Sequence, residues 1–268
     1  GINSFRQASV DRAGNKGSVD VDNLLLLNKP TPIALTIDNA YFSPNADGIK
    51  DTVTIAVGAN DQVKVNAWTA KLLNGKGQTV RNFSGKDSLP KTFVIDGKDE
   101  AGKALPEEVY KLTLNAMYEN GNNPTGNSPG MTLDLTKPAI RVAGEYPVFS
   151  PNGDTFKDTL LLRQTVSPEP AVASPVPTWD AQIIGADGKK VRTFIWRGLP
   201  DDAIIWDGRD TANNIAPDGS YTYQASATDL AGNVGISAPV VMKVDNRPTA
   251  VAIRAGRAAF APATESQF

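Results

Sequence analysis

A ten-residue stretch occurs twice in this chain and constrains its fold more than any other feature. The first copy is Phe42-Ser-Pro-Asn-Ala-Asp-Gly-Ile-Lys-Asp51, and the second is Phe149-Ser-Pro-Asn-Gly-Asp-Thr-Phe-Lys-Asp158. The copies begin 107 residues apart, and each opens a run of alternating apolar residues. A chain of 268 residues is long enough for about two domains of that size. The repeat therefore predicts two copies of one structural unit.

Three aromatic landmarks follow the repeated stretch at one common spacing. Trp68, Phe83 and Tyr110 return as Trp179, Phe194 and Tyr221, each 111 residues later. The offset thus grows from 107 to 111, which requires a four-residue insertion in the second unit. The Pro-rich stretch Ser167–Pro177 is predicted to hold it, as a lengthened loop between two strands, because loop-closure entropy grows slowly with length.

The apolar pattern predicts strands throughout and no amphipathic helix. Thr52–Val57 alternates with period two, and Asn74-Gly75 is a strong hairpin signal. Each unit holds about seven such strands with turn signals every 8–12 residues or so, which is typical of a β-sandwich. We predict an all-β fold of tandem Ig-like or fibronectin-III-like sandwiches, elongated because the link Asp134–Pro138 is short. Trp68 and Trp179 are expected in the cores, and Tyr110 and Tyr221 at sandwich corners.

The repeat divides the chain into four segments. Phe5–Asn15 aligns with Tyr223–Asn233, since in both a short strand runs into an Asp-x-Ala-Gly-Asn turn. Phe260-Ala-Pro stands 111 residues after Phe149-Ser-Pro but lacks the Asn and Asp that should follow. The predicted segments are the terminal strands of a preceding Ig-like unit (1–36), two Ig-like sandwiches (37–137 and 138–246), and a degenerate start of a further unit or a tail (247–268).

Composition excludes several classes of function. The chain has no cysteine and no histidine, which removes disulfides, thiolate metal sites, cysteine catalysis, the Ser-His-Asp triad and the HExxH zinc site. A net charge of −2 shows no bias toward nucleic acid. No apolar run approaches the roughly 20 residues that span a bilayer. We therefore expect a protein that is not an enzyme, binds no nucleic acid and has no membrane span in this segment.

Three motifs of the second unit resemble a known family. Val191-Arg-Thr-Phe194, Ile205-Trp-Asp-Gly-Arg-Asp210 and Ala216-Pro-Asp-Gly-Ser-Tyr221 are similar to the Ig-like domain first named from the flagellar hook-capping protein. In the first unit Ile95-Asp-Gly-Lys-Asp99 lacks the family's Trp, and Leu105–Tyr110 lacks the Gly before Tyr. The Phe-Ser-Pro-Asn-Gly-Asp opening is similar to one in large bacterial surface and gliding-motility-type proteins. The resemblance implies the fold and says little about function, because such modules serve many purposes.

The repeated loop is the candidate metal site. Its oxygen-bearing side chains recur at one spacing: Asn45, Asp47 and Asp51 in the first copy, and Asn152, Asp154 and Asp158 in the second. Calcium takes six to eight oxygen ligands in flexible geometry, and these side chains are a tentative part of such a shell. The alternative is a pair of self-capped Asx turns whose carboxylates accept loop N–H groups. No other cofactor is expected.

Two further groups have a functional and a structural interpretation. Asp207 and Asp210, like Asp96 and Asp99, are paired carboxylates of the type that glycosidases use, but each pair lies in one turn and recurs as turn formers would. Trp196 has no counterpart in the first unit. It is either an exposed aromatic for a protein or sugar partner or the cover of a sandwich edge.

A structural role is the leading functional prediction. The chain is expected to be a segment of a bacterial cell-surface or secreted protein, placed outside the cell or in the envelope, whose tandem modules act as spacer, scaffold or adhesion stalk. A two-strand stub at residues 1–36 cannot bury its apolar face alone, so its expected partners are neighbouring Ig-like modules of the same or another chain. The alternatives are a calcium-dependent glycan- or protein-binding module and a flagellar hook-assembly scaffold.

Overall fold

The computed structural model describes residues 2–25, 32–59, 63–166 and 173–254. The regular secondary structure of these residues consists of β-strands alone, which confirms the predicted all-β class. The described residues form one hairpin and two sandwiches. Leu26–Pro30, Phe260 and the first six residues of the Pro-rich insertion, 167–172, lie outside the described residues.

The N-terminal hairpin consists of β1 (Ile2–Val10) and β2 (Lys16–Leu25), which pair antiparallel and pair with no other described strand. The cross-strand pair Phe5 and Val21 defines one face of the hairpin. Phe5 is 57% exposed and Val21 is 45% exposed. The hairpin therefore presents an uncovered apolar face, as the sequence predicts for strands taken from another unit.

The first sandwich contains nine strands. They are β3 (Ala34–Ile37), β4 (Tyr41–Phe42), β5 (Val53–Gly58), β6 (Val65–Leu73), β7 (Thr79–Asp87), β8 (Thr92–Ile95), β9 (Glu108–Tyr118), β10 (Thr125–Asn127) and β11 (Met131–Leu133). One sheet has the order β3-β5-β8, and the other has the order β4-β11-β9-β6-β7 with β10 added to β9. The pair β4 and β11 is parallel, and every other pair is antiparallel. Because β3 pairs with β5, residues 34–36 belong to this sandwich, although the sequence grouped them with the preceding unit.

The second sandwich repeats this plan strand for strand. Its strands are β12 (Ile140–Gly144), β13 (Val148–Phe149), β14 (Leu160–Val166), β15 (Thr178–Gly185), β16 (Lys190–Arg197), β17 (Ala203–Trp206), β18 (Gly219–Thr228), β19 (Val234–Ile236) and β20 (Val240–Val244). The sheets have the orders β12-β14-β17 and β13-β20-β18-β15-β16, with β19 added to β18. The pair β13 and β20 is again parallel.

Each sandwich has its own apolar core between its two sheets. Trp179 is buried in the second core, as predicted, whereas Trp68 is half-buried at the margin of the first core. The Trp68 indole N–H donates to the Ser88 carbonyl oxygen at 2.8 Å. Trp68 therefore has a polar partner for its indole N–H, whereas the indole N–H of Trp179 is buried without one among the described residues.

The two tyrosines lie at corners, as the sequence predicts. The Tyr110 hydroxyl donates to the Pro106 carbonyl oxygen at 2.8 Å, and the Tyr221 hydroxyl donates to the Pro217 carbonyl oxygen at 2.6 Å. Each bond ties a long strand to the turn that precedes it, the arrangement known as a tyrosine corner. Burial, together with the nearby Glu108 carboxylate, raises the pKa of Tyr110 to about 12.

Candidate functional site

The repeated loop is closed by its own side chains. Asp51 accepts the Ala46 and Gly48 amides at 2.7 and 2.9 Å, through separate carboxylate oxygens. Asn45 Oδ1 accepts the Asp47 amide at 2.9 Å, and Asp47 Oδ1 accepts the Ile49 amide at 2.7 Å. The three predicted side chains are thus brought together within one turn, and each satisfies loop N–H groups.

The second loop has the same hydrogen bonds. Asp158 accepts the Gly153 and Thr155 amides, both at 2.7 Å, and Asn152 Oδ1 accepts the Asp154 amide at 3.0 Å. Asp154 Oδ1 accepts the Phe156 amide at 2.8 Å. That bond and the hydrogen bond from the Asn152 side-chain amide lower the pKa of the Asp154 carboxyl. Two loops with different sequences therefore share one conformation.

Three positions of each loop require a left-handed backbone. They are Ala46, Gly48 and Lys50 in the first copy, with φ of 66°, 85° and 51°, and Gly153, Thr155 and Lys157 in the second, with φ of 84°, 73° and 53°. Each copy has a single glycine for these positions and places it differently. The loss of Gly48 in the second copy is thus offset by Gly153, while Thr155 adopts a φ that strains a β-branched residue.

The oxygen atoms of these loops are partly suited to calcium. Each loop provides two carboxylates and one amide, which are acceptable calcium ligands, but every carboxylate oxygen already accepts a hydrogen bond within the loop. Within the described ranges no group of three or more Asp, Glu, His or Cys side chains is arranged to hold a metal. The hydrogen bonds are those of the Asx-turn alternative. Calcium binding stays a prediction.

The proline of each loop packs on an Asp-Gly turn of the same sandwich. Pro44 lies against Gly97 and Pro151 against Gly208, both glycines having φ of 70°. A Cβ on Gly97 would lie 2.5 Å from Pro44 Cγ, so a side chain has no room there. The glycine thus fixes where the repeated loop sits against the sandwich.

The paired carboxylates belong to the same turns. Asp96 and Asp207 accept hydrogen bonds from Arg81 and Arg192 at 2.8 and 2.9 Å. Asp210 Oδ1 accepts the Asn214 amide at 2.8 Å, and this bond lowers the pKa of the Asp210 carboxyl. These carboxylates stabilise turns and cross-strand pairs in the way the sequence indicates.

The first sandwich ends in a joint with the second. The turn Asp229–Asn233, between β18 and β19, packs on the repeated loop of the first sandwich. Asn233 Oδ1 accepts the Ser43 hydroxyl at 2.6 Å, although the two residues are 190 positions apart. Asn233 Nδ2 donates to the Asp134 carbonyl oxygen at 2.9 Å, and Lys50 Nζ donates to the Leu230 carbonyl oxygen at 2.5 Å.

Asp134, the residue after β11, closes the joint from the other side. It is fully buried, and its carboxylate accepts the Ser174 amide at 2.5 Å and the Thr136 amide at 2.9 Å. Ser174 in turn accepts the Ala231 amide through its hydroxyl at 3.2 Å. Ser174 lies in the Pro-rich insertion, so the insertion completes the joint in addition to lengthening a loop.

One glycine allows the two sandwiches to approach closely at the joint. Gly232 has φ of 97°, and a Cβ there would lie 2.7 Å from Ile49 Cγ2. Within the second sandwich, Gly235 lies directly against the Pro138 carbonyl, where a Cβ would overlap the oxygen, so the start of that sandwich packs closely on β19. Shape and hydrogen bonding therefore act together to define how the second sandwich meets the first.

The joint was not found from the sequence. The sequence identifies Asp229–Asn233 as an Asp-x-Ala-Gly-Asn turn, but it does not indicate that this turn contacts the first sandwich. A difference between the two sandwiches could have indicated the joint. The equivalent turn of the first sandwich is Tyr118-Glu-Asn-Gly-Asn122, which lacks the Asp and the Ala. It keeps the backbone hydrogen bond from the Tyr118 amide to the Asn122 carbonyl oxygen.

Trp196 covers an edge of the second sandwich. It is half-buried on the edge strand β16, its ring stacks on Phe194 at 6.0 Å between centroids, and its indole N–H donates to Asp201 at 3.0 Å. These contacts match the second of the two interpretations of Trp196, a side chain that covers a sandwich edge.

The chain was compared with known proteins by sequence and by structure. No protein-family model matches it, so the resemblance to the hook-capping family stays a prediction. Bacillopeptidase F of Bacillus subtilis (strain 168) is 27% identical over 158 residues, which cover 59% of this chain and 9% of that protein. The chain thus corresponds to a small part of that relative.

Solved structures similar to this chain include tandem modules from bacteria. A tetra-tandem repeat in the extending region of a large adhesion protein matches 91% of this chain and 56% of that one, with 18% identity and a TM-score of 0.36. The fibronectin(III)-like modules of Clostridium thermocellum CbhA match 78% of this chain and 92% of that one, with 16% identity and a TM-score of 0.37. A bacterial ice-binding adhesin matches 91% and 74%, with 14% identity and a TM-score of 0.33.

Proposed function

We propose that this chain is a non-enzymatic segment of a bacterial cell-surface or secreted protein, in which tandem sandwiches act as a stiff spacer or adhesion stalk. The observation that carries the proposal is the joint. A spacer needs modules whose relative orientation is held, and Asn233, Asp134 and Ser174 join the sandwiches through buried hydrogen bonds.

The energetics of the joint favour a single arrangement. Asn233, Asp134 and Ser174 are all at most 1% exposed. Opening the joint would leave these polar groups without partners until water reached them, and a buried unsatisfied group costs about 1–3 kcal/mol. Several such groups act together, so separation of the sandwiches is opposed by more than a flexible linker would provide.

The location outside the cell is part of the proposal. It is supported by the resemblance of the repeated Phe-Ser-Pro-Asn opening to bacterial surface proteins. In the parts of the chain that the structure describes, no helix has the length and apolarity needed to cross a membrane.

Spin labels can test whether the joint is stiff. The chain has no cysteine, so Lys76→Cys and Lys190→Cys create two unique exposed labelling sites, one on each sandwich. Pulsed electron–electron double resonance then measures the distribution of distances between the two labels. We expect one narrow peak for the otherwise unchanged chain and a broad distribution after Asn233→Ala.

Asn122→Ala is the matched control, because Asn122 occupies the same position in the turn of the first sandwich. It should leave the peak narrow. A broad distribution in the unchanged chain would refute a stiff spacer, and so would a peak that stays narrow after Asn233→Ala combined with Asp134→Ala.

A further inference from the structure

The turn of the N-terminal hairpin has the conformation of the turn that docks in the joint. The backbone N–H of Asn15 donates to Asp11 Oδ1 at 2.9 Å, and the Asn15 side-chain Nδ2 donates to Asp11 Oδ2 at 2.8 Å. Asn233 makes the same two bonds to Asp229 at 2.8 and 2.9 Å. The preceding glycines have φ of 87° and 97°. The turn Asp11–Asn15, called the free turn below, is exposed, whereas Asp229–Asn233 is largely buried.

The second sandwich carries a copy of the surface on which the docked turn sits. In the first sandwich that surface consists of Ser43, Ile49, Lys50 and Asp134. Its copy, called the free surface below, consists of Ser150, Phe156, Lys157 and Asp245. The backbone places them identically: the Ser43 amide donates to Lys50 and the Asp134 amide to Phe42, while the Ser150 amide donates to Lys157 and the Asp245 amide to Phe149.

No residue that the structure describes covers the free surface. Ser43 and Asp134 are fully buried in the joint, whereas Ser150 and Asp245 are only half-buried and Phe156 is 72% exposed. The polar groups of this surface have exchangeable partners. Ser150 donates to Asn246 at 3.3 Å, and the Asp245 carboxylate accepts Lys243 and Arg247, each at 3.0 Å. Arg247 is exposed, so it can move aside at little cost.

We propose that the free turn of one copy of this chain docks on the free surface of a second copy. By analogy with the joint, Asn15 Oδ1 accepts the Ser150 hydroxyl, Asn15 Nδ2 donates to the Asp245 carbonyl oxygen, and Lys157 donates to the Arg12 carbonyl oxygen. The occupant is argued from the joint itself, where the same turn already sits on the same surface.

The contact joins different surfaces of the two copies, so it is heterologous and does not close on itself. Each copy keeps one unused turn and one unused surface, and copies therefore add head to tail. The contact lacks the counterpart of Ser174, which the second sandwich supplies within the joint. It also lacks the covalent link, whose effective concentration is of millimolar order. Association is accordingly weak and appears only in concentrated solution.

Analytical ultracentrifugation of the whole chain tests the proposal. We expect the weight-average mass to rise above that of the monomer as the concentration approaches about 1 mM. Asn15→Ala removes the asparagine side chain of the free turn. Phe156→Asp places a carboxylate at the position where, in the joint, Ile49 lies against Gly232. Both positions are exposed. Each variant should lower the association constant at least about tenfold.

A mixture of the two variants distinguishes head-to-tail association from other modes. Asn15→Ala retains the free surface and Phe156→Asp retains the free turn, so the mixture should form dimers and nothing larger. Asn122→Ala is the control and should associate as the unchanged chain does. The proposal is overturned if the unchanged chain stays monomeric, if either variant associates normally, if the mixture fails to dimerise, or if the control loses association.

Discussion

The two sandwiches have the same strands and turns but fill their cores differently. The position before the Asp-Gly turn holds Ile95 in the first sandwich and Trp206 in the second, and both are buried. Trp206 contacts Phe149 and Tyr221 with ring centroids 5.2 and 5.3 Å apart. In the first sandwich the aromatic contacts lie elsewhere. There Phe93 meets Trp68 and Phe83 at 5.6 and 5.4 Å.

What the sandwiches share is polar and local. Both have the Tyr hydroxyl bonded four residues back, the Arg–Asp pair, the proline on the Asp-Gly turn and the self-capped loop. The comparison teaches that turn chemistry defines this fold, whereas the core tolerates different residues provided that its volume is filled.

The largest expected effect comes from emptying the aromatic cluster of the second core. Trp206→Ala should lower the free energy of unfolding of the second sandwich by about 3–5 kcal/mol, because it removes a fully buried side chain and leaves a cavity. Ile95→Ala, at the equivalent place, removes a smaller side chain and should therefore cost the first sandwich less, toward the lower end of about 2–5 kcal/mol. Hydrogen exchange resolved by peptide measures the two sandwiches separately.

Trp196→Ala is the control for this experiment, since it removes an indole that is only half-buried. It should cost about 1 kcal/mol. The comparison of cores fails if Ile95→Ala proves as costly as Trp206→Ala.

A smaller effect is expected from exchanging residues between the two repeated loops. Thr155→Gly should stabilise the second sandwich by about 0.5–1 kcal/mol, because it relieves a β-branched residue at φ of 73°. Gly48→Thr should destabilise the first sandwich by about 1–2 kcal/mol through the backbone alone, since a Cβ there meets no atom within 4 Å. Urea unfolding monitored by hydrogen exchange reports both changes. Equal stability after Gly48→Thr would show that the loops differ in more than the placement of their glycine.

The smallest expected effect is that of calcium. Because the loop carboxylates of both sandwiches already accept N–H groups, we expect the melting temperature to change by less than about 1 °C with calcium or with excess chelator. A rise of several degrees with calcium, lost in the variant that combines Asp47→Asn with Asp154→Asn, would establish the loops as calcium sites.

Much of the fold was predictable because its determinants are local. Period-two alternation, Asn-Gly and Asp-Gly turns and the Pro-to-Tyr spacing act within a few residues, and they predicted the strands, the corners and the turns. The two tryptophans show the limit of prediction from local patterns. Trp68 and Trp179 occupy one position of the repeat, yet the first faces Gly85 across the strand pair and the second faces Trp196.

The joint depends on contacts that no local pattern encodes. Ser43 and Asn233 are 190 positions apart, and Asp134 and Ser174 are 40 apart. Each of these residues alone is an ordinary turn residue. Only the packing of one sandwich on the other makes them buried partners, so the Pro-rich insertion could be interpreted from the sequence as no more than a longer loop.

The parallel pairs at the ends of each sandwich determine how it responds to tension. β4 lies beside β11 and β13 beside β20. β11 and β20 are the last strands of their sandwiches, and β4 and β13 each follow one short first strand, β3 or β12. When the chain is pulled from both ends, the two strands of a pair are drawn in opposite directions along their length. The bonds from Thr132 to Ala40 and from Asp134 to Phe42 are then sheared together and not opened one after another. Each sandwich thus resists a pulling force through a parallel pair that holds its last strand and lies one strand inside its N-terminal end.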